Sequence, residues 1–592
     1  MRNLTIALTG SGGTGVVALG EMLLRTAGNA GYNGILRKTF GPQIRGGESA
    51  AILRLGPQPL ASFAGPIDLL IALDWSNFQR FADEIPLSAT TVIIEDAAAG
   101  ERPAEINLKA LVKTLDFTGL AQALGSAHSN IAALGYVAAW LNCAVDQVQA
   151  AVVQRLGKHS KETVALACSV ASAGAQLQAE LPIELAPPDG RETHPNDSAE
   201  GHWLATGNQL AGLGALEAGV RFVAAYPITP ASDALEWMAG RIESVGGHLV
   251  QAEDELAAVN MAIGAGYGGV PAMTATSGPG LALMSEAMGL AIASETPLVI
   301  LNVMRGGPST GIPTKSEQSD FNLAVYGMHG DAPHVVLAAS SIADCHFTMG
   351  WAVQIASERQ TLVIVLSDQF LGQSMQVLPA PDAMPFQANL SQATLPLPEG
   401  EDYFRYLDTE SGVSPMAVPG QAGGEYTADG LEHSQHAVPS ARAQDHEIQL
   451  EKRQRKLQSL VQSEHWGEVS DSPGASIMIL CWGSLFPIAL EAQQRLQERG
   501  VAVQVVNLRL LSPLPVSALQ TCMDGKTKVL VIEQNHQGQF DHYLRSHLVT
   551  QLQGDALPEM ARPDIVSYYR SGPRLFTPLE IVQQIEKLGA TQ

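Results

Sequence analysis

Cysteine is scarce: the 592 residues carry five, at 143, 168, 345, 481 and 522, and no two stand in a CxxC or other metal-ligand spacing. That scarcity excludes a disulfide framework and an iron–sulfur cluster held by this chain alone, and leaves no metal site to assign. Charge is scarce as well, at 16% of residues, and it is one-sided, with 59 acids against 35 Lys and Arg for a net of −24. An excess of that sign argues against nucleic acid or an anionic membrane as partner. No run approaches the roughly 18 apolar residues of a membrane helix. The start, one Arg2 before a short apolar strand, has no small-residue cleavage site, so a cytoplasmic chain is expected.

What is present is an ordinary globular composition, 46% hydrophobic and rich in Gly and Ala, enough for about three or four domains. Short apolar runs, then turns of Gly, Pro, Ser or Thr, then helices of small residues recur along the chain. That is the pattern of α/β domains with parallel sheets. A first domain, 1–182, opens with a strand from Leu4 running into Gly10-Ser11-Gly12-Gly13-Thr14-Gly15 and a helix from Val16. Glycines there let the backbone approach a phosphate at a helix N-terminus, although the same turn can serve only close strand–helix packing. The next strand ends in Arg37 and Lys38 where an NAD site would want an acid, which disfavours NAD and leaves NADP or another phosphate ligand. Arg45 follows among glycines, exposed to an anion or structural. A polar linker is expected at 183–200, a second α/β domain at 201–395, a Gly-, Ser- and acid-rich arm or insertion at 396–472 with a charged helix near Gln444–Ser463, and a last α/β domain at 473–592.

The second domain holds the densest motifs. Tyr226-Pro227-Ile228-Thr229-Pro230, Glu253-Asp254-Glu255, Thr276-Ser277-Gly278-Pro279-Gly280 and the run Arg305 to Lys315 each follow an apolar strand. In a parallel sheet, turns after strands converge at one edge, so Thr229, Glu255 and Arg305 should meet there. Each also has a plainer reading: Thr229 as an N-cap before Pro230, Glu253 or Glu255 as acids on a helix dipole, Arg305 as a surface cation.

These four motifs, in order, resemble the α subunit of 2-oxoacid:ferredoxin oxidoreductases, in their 2-oxoglutarate branch. The Gly10–Gly15 and Arg45-Gly46-Gly47 loops resemble the family's γ domain, fused ahead of α. Gly483-Ser484 and Glu533-Gln534-Asn535 resemble its transketolase C-terminal-like domain. The resemblance implies a Rossmann-like γ domain, a thiamine-diphosphate pyrimidine-binding domain and that third domain. It also implies an enzyme converting 2-oxoglutarate, CoA and oxidised ferredoxin to succinyl-CoA, CO2 and reduced ferredoxin, or the reverse.

Thiamine diphosphate needs a carboxylate against its aminopyrimidine, and the family's pattern places Glu255 there in preference to Glu253. Tyr226, Pro227, Ser277 and Gly278 would border the cofactor. Thr229 and Arg305 would hold the 2-oxo acid end, and Thr310 and Lys315 the distal carboxylate. Gly10, Gly12, Gly13, Gly15 and Arg45 would meet CoA. No GDG triplet for Mg2+ and diphosphate occurs in the chain. Mg2+, the rest of the thiamine site and a 4Fe-4S cluster are therefore expected on a β subunit, in a dimer of αβ heterodimers that reduces ferredoxin. The alternatives are a broad-specificity or branched-chain 2-oxoacid enzyme, a non-catalytic nucleotide-binding scaffold, and a self-contained thiamine transferase, which the missing GDG opposes.

Overall fold

Leu4–Ser11, buried along all but its last residue, is the strand around which the first part of the chain is built. In the computed structural model, which describes residues 2–41, 48–76, 78–106, 111–189, 202–398, 401–551 and 563–589, it pairs in parallel with Leu69–Ala72 and antiparallel with Glu48–Gly56. The eight strands run in the order Leu111–Leu115, Val92–Asp96, Leu69–Ala72, Leu4–Ser11, Glu48–Gly56, Asn33–Phe40, Met375–Pro379, His202–Thr206. One half is parallel, as the sequence pattern implies. The other is antiparallel, because the seven residues between Phe40 and Glu48 are too few for a crossover helix. On this sheet lies the helix Val16–Asn29, with Leu19, Leu23 and Leu24 in the core. Helices Ser129–Trp140 and Lys161–Glu180 touch backbone to backbone: a Cβ at Gly135 would stand 1.8 Å from Ala171 O.

These elements form one of two compact units, Met1–Thr206 with Gln373–Pro381 and Thr577–Leu579; the rest of the chain forms the other. In the second unit a seven-stranded sheet runs Leu510–Ser512, Val335–Ala338, Leu362–Asp368, Leu298–Met304, Ala272–Thr276, Phe222–Ala225, His248–Gln251. It is parallel except at Leu510–Ser512. A five-stranded sheet follows, Gly467–Ser470, Val503–Leu508, Ile477–Trp482, Lys528–Glu533, Asp564–Tyr569, parallel except at its first strand. One core joins the two sheets: Phe321 meets Trp482, Phe540 and Tyr543 at ring distances of 5.7, 5.7 and 5.3 Å. Three α/β sheets with these contents are what the motifs imply.

The charged helix is Ala443–Arg455, and its buried residues are Gln449, Lys452 and Arg453 rather than apolar ones. They are buried because Glu295 is. Lys452 Nζ lies 2.6 Å and Lys456 Nζ 2.5 Å from the Glu295 carboxylate, and Arg405 Nη2 donates to Glu295 O at 2.8 Å. Burial alone would raise the Glu295 pKa, yet Lys456, Lys452 and Arg405 together hold it well below the usual carboxylate range. Removing one member of such a cluster strands the others, which is how it ties the helix to the sheet.

Candidate functional site

Three adjacent parallel strands, Phe222–Ala225, Ala272–Thr276 and Leu298–Met304, end at one edge and turn there into Tyr226–Pro230, Ser277–Gly280 and Arg305–Gly307. The sheet register therefore places the sequence motifs side by side.

Glu255 is the first residue of the helix Glu255–Tyr267, whose cap is Asp254, with Ala257 N–H donating to Asp254 Oδ1 at 2.7 Å. Asp254 takes the capping hydrogen bond, and Glu255 stands in the first turn, where the helix dipole also favours an acid. Glu253 is exposed, whereas Glu255 is only 7% exposed. Its side chain packs on Gly280, where a Cβ would stand 2.8 Å from Glu255 Cγ and 2.9 Å from Oε1. Among the described residues it has no hydrogen-bond partner. A mostly buried carboxylate whose donors come only from solvent is open to one from a ligand. Ser277, which caps the next helix, has its Oγ buried and unpartnered. A ligand group that donates to a carboxylate and meets a hydroxyl fits this corner, as an aminopyrimidine would.

Arg305 is buried, and its Nη1 donates to Thr229 O at 2.5 Å while its Nε has no partner. Among the described residues no carboxylate lies within ion-pair distance of it. Burial lowers its pKa, offset in part by Asp320. A desolvated guanidinium with donors to spare is an anion receptor. Thr229 is not the N-cap that the sequence suggests. The following helix is Ser232–Ala239, capped at Ala231, and the turn is closed by Ser232 N–H on Ile228 O and Asn208 Nδ2 on Pro230 O. A residue before proline is pushed out of the helical region, so the helix starts later and the Thr229 side chain is released from capping.

The loop after Arg305 folds back on itself: Ile312 N–H donates to Gly306 O at 2.8 Å and Gly306 N–H to Lys315 O at 3.0 Å. Lys315 thereby returns beside the residue that follows Arg305, and Thr310 stands at the exposed tip. Only glycine fits at 311, with φ +58° and a Cβ position 1.8 Å from Gly306 O. Tyr226 and Pro227 are exposed on the neighbouring turn.

Past Lys315 the chain is clasped by the last sheet. Gln318 N–H donates to Gln534 O at 2.7 Å, Gln534 N–H returns to Gln318 Oε1 at 2.9 Å, and Gln318 Nε2 donates to Trp482 O at 2.8 Å. Thus Gln534, Asn535 and the Trp482 carbonyl fix the segment that follows Lys315, a role that spacing alone does not show. Asp320 closes this segment. Its carboxylate packs on Gly278, where a Cβ would lie 2.6 Å from Oδ1, and accepts from Asn302 Nδ2 at 3.0 Å. The two glycines of Ser277-Gly278-Pro279-Gly280 are thus each the seat of a carboxyl, Asp320 on the first and Glu255 on the second. Sequence reasoning missed Asp320 and Asn302; the only signal was an acid just before the apolar helix Phe321–Tyr326, which reads as a cap.

In the first unit, the Gly10–Gly15 loop has Gly13 at φ +100° and Gly15, which precedes the helix, at +73°. Gly12 and Gly13 are exposed. Gly10 is needed for packing, since a Cβ there would stand 2.4 Å from Thr14 Oγ1. Ser11 Oγ donates to Asp74, whose carboxylate stands beside the loop. Arg37 and Lys38 pair with Glu84 and Glu21. Arg45 lies outside the described residues, as does 190–200 of the expected linker.

Three family descriptions match the chain. Residues 5–177 match pyruvate ferredoxin/flavodoxin oxidoreductase, 213–452 its thiamine diphosphate-binding domain, and 467–569 the transketolase C-terminal domain. The α subunit of 2-oxoacid:ferredoxin oxidoreductase 2 from Aeropyrum pernix is 30% identical over 92% of this chain and 93% of its own. The 2-oxoglutarate oxidoreductase subunit KorA of Mycobacterium tuberculosis is 28% identical over 93% and 88%. A solved 2-oxoglutarate:ferredoxin oxidoreductase from Magnetococcus marinus, with 2-oxoglutarate, coenzyme A and succinyl-CoA bound, superposes with a TM-score of 0.89 at 32% identity over 99% of both chains.

Proposed function

This chain belongs to the 2-oxoacid:ferredoxin oxidoreductase family, and on that footing we propose that it is the α-type subunit, with a fused γ-type domain, of an enzyme that converts 2-oxoglutarate, CoA and oxidised ferredoxin to succinyl-CoA, CO2 and reduced ferredoxin, or runs in reverse. The observation that carries this reading is Glu255, 7% exposed and without a hydrogen-bond partner among the described residues, set against Gly280 in the part of the chain matched to thiamine diphosphate binding. When bound, thiamine diphosphate supplies a nucleophilic carbon and takes up the electrons released as CO2 leaves.

This chain's residues do the rest of the work on its side of the site. Glu255 would accept a hydrogen bond from the protonated ring nitrogen of the aminopyrimidine and so favour its imino tautomer, in a largely buried corner where a hydrogen bond to a charged group is strong. Gly280 leaves room for the carboxylate, and Ser277 and Gly278, with Tyr226 and Pro227, border the same ring. Arg305 binds the carboxylate next to the 2-oxo group, with Thr229 held against it through its carbonyl. Lys315, with Thr310, takes the distal carboxylate, which distinguishes 2-oxoglutarate from pyruvate. CoA is assigned to the first unit, where the exposed Gly12 and Gly13 precede a helix N-terminus, with Arg45.

The Mg2+ site, the diphosphate contacts and a 4Fe-4S cluster fall to a β subunit, since none of the five cysteines is placed for a cluster. A dimer of αβ heterodimers in the cytoplasm is the expected assembly. A second reading, a broad-specificity 2-oxoacid enzyme, is favoured by the name of the Aeropyrum relative. The test is to purify the chain with and without its co-expressed partner and assay viologen reduction that depends on a 2-oxoacid and CoA. Activity with 2-oxoglutarate only in the complex is expected. Equal rates with pyruvate and 2-oxobutyrate would support the second reading, and tight thiamine diphosphate binding by the chain alone would overturn the split site.

A further inference from the structure

Asp320 has no part in the assignment so far, yet it is built into the same edge. Its carboxylate occupies the space that a side chain at residue 278 would need, with Oδ1 and Oδ2 at 2.6 and 2.8 Å from that Cβ position. Although it precedes the helix Phe321–Tyr326, it makes no side-chain cap, so the carboxylate is turned away from the helix end that would otherwise favour it. Its one hydrogen bond comes from Asn302 Nδ2 at 3.0 Å, and the oxygen of that same amide, Asn302 Oδ1, is buried without a partner. A proton on Asp320 places an O–H beside the amide that lacks a donor.

Two charges face Asp320. Arg305 reaches from the end of the Leu298–Met304 strand to Thr229 O, past the end of the intervening strand Ala272–Thr276 where Asp320 sits on Gly278, and it attracts Asp320 without forming an ion pair. Glu317, on its own loop, repels it and is itself held by Gly307 N–H at 3.3 Å and Gly572 N–H at 2.9 Å. Burial, with a smaller push from Glu317, raises the Asp320 pKa to about 6 against the pull of Asn302 and Arg305.

We propose that Asp320 is a titratable positioning residue that sets the anion affinity of Arg305: protonated, it leaves the guanidinium's field to the incoming carboxylate, and ionised, it competes for that field. The inference rests on the reading of Arg305 as the anchor of the 2-oxo acid end. Linkage then fixes the sign. A second anion brought to Arg305 raises the proton affinity of Asp320, so substrate binding takes up protons and weakens as pH rises past the range where Asp320 holds its own. The substrate's own carboxyls are ionised throughout and contribute nothing to this slope.

The experiment uses the complex with its partner subunit. KM for 2-oxoglutarate is measured from pH 5.5 to 8.5 for the wild type, Asp320→Asn and Arg305→Met. The wild-type KM should rise with pH by about fivefold, the scale of one partly screened charge, while Asp320→Asn should stay flat near the low-pH value. Calorimetry of 2-oxoglutarate binding to the complex stripped of thiamine diphosphate, in buffers of different ionisation heat near pH 6.5, should show fractional proton uptake by the wild type and none by Asp320→Asn.

A flat wild-type profile without proton uptake overturns the proposal, and this arm needs no variant to fold. The same slope in Asp320→Asn as in the wild type overturns it as well. Arg305→Met should raise KM and abolish the slope. If it leaves KM unchanged, the anchor reading falls and takes the proposal with it, whereas a KM that depends on Arg305 with no pH slope sinks Asp320 alone.

Discussion

Two buried glutamates in the second unit have opposite surroundings. Glu295, fully buried, has Lys452, Lys456 and Arg405 around it, three cations for one carboxylate. Glu255, 7% exposed, has no donor among the described residues. The cations divide in the same way: Arg509 is 2.7 Å from both Asp344 and Glu468, while among the described residues Arg305 has only a carbonyl. Desolvating a charge costs about the same wherever it happens, several kcal/mol per ion. A carboxylate or guanidinium that serves the fold therefore arrives with its partners in the chain, and one kept without them is set for a partner from outside. The contrast sets Glu295 and Arg509 with the fold, and on the proposed function Glu255 and Arg305 with ligands.

The sharpest way to break this division is to neutralise each glutamate in turn. Glu295→Gln leaves three buried cations facing each other, and a loss of about 3–5 kcal/mol of unfolding free energy is expected, as for one partner removed from a buried ion cluster. Denaturant unfolding measures it, and limited proteolysis near the Ala443–Arg455 helix should show that segment released first. Unchanged stability would mean that the cluster does not tie the helix down. Glu255→Gln should do the reverse, with stability equal or higher because a neutral amide is cheaper to bury, and turnover of the assembled complex lower by on the order of 10² or more. Glu253→Gln, on an exposed residue, should change little; a larger effect there than at Glu255 would move the catalytic carboxylate by two residues.

Much of this arrangement was legible in the sequence for a local reason. Strand, turn and helix follow one another within about 20 residues at each motif, and a parallel sheet then brings the turns to one edge without further information. The missing pieces are those that only packing brings together. Asp320 meets Gly278 across 42 positions, and Asn302 reaches it from a strand whose sequence, LVILNVM, reads as plain core. Lys452 and Lys456, four apart on one helix face, look like a solvated charge run until Glu295 is found beneath them. The antiparallel half of the first sheet turns on the short connection after Phe40, which periodicity cannot see.

A third test sharpens the comparison within the loop after Arg305, at a lysine between the exposed and buried extremes. Lys315 is half-buried and its backbone is fixed by Gly306 N–H and Ile312 O. If it holds the distal carboxylate, Lys315→Met should weaken 2-oxoglutarate by about 1.5–3 kcal/mol and spare 2-oxobutyrate. An equal loss for both acids in kcat/KM comparisons would place the specificity on the partner subunit.

The smallest effect concerns stability at Asp320, which lies between the two classes with one hydrogen bond and one distant cation. Its pKa in the fold is raised to about 6, above the ordinary value of an unfolded chain. The folded protein therefore binds this proton more tightly than the unfolded one. The contribution is most favourable below about pH 4, is lost as pH rises through 6, and remains a constant cost above that. Asp320 keeps some contact with solvent, so the cost at pH 8 is about 1–2 kcal/mol. Asp320→Asn should then raise the unfolding midpoint at pH 8 and leave it unchanged at pH 4, with the difference between variant and wild type growing across that interval. Other carboxylates titrate in the same range, but they cancel in the difference. A gain of equal size at both pH values would mean that the amide improves packing against Gly278 and that no proton is involved, which would return Asp320 to the class of side chains that serve the fold.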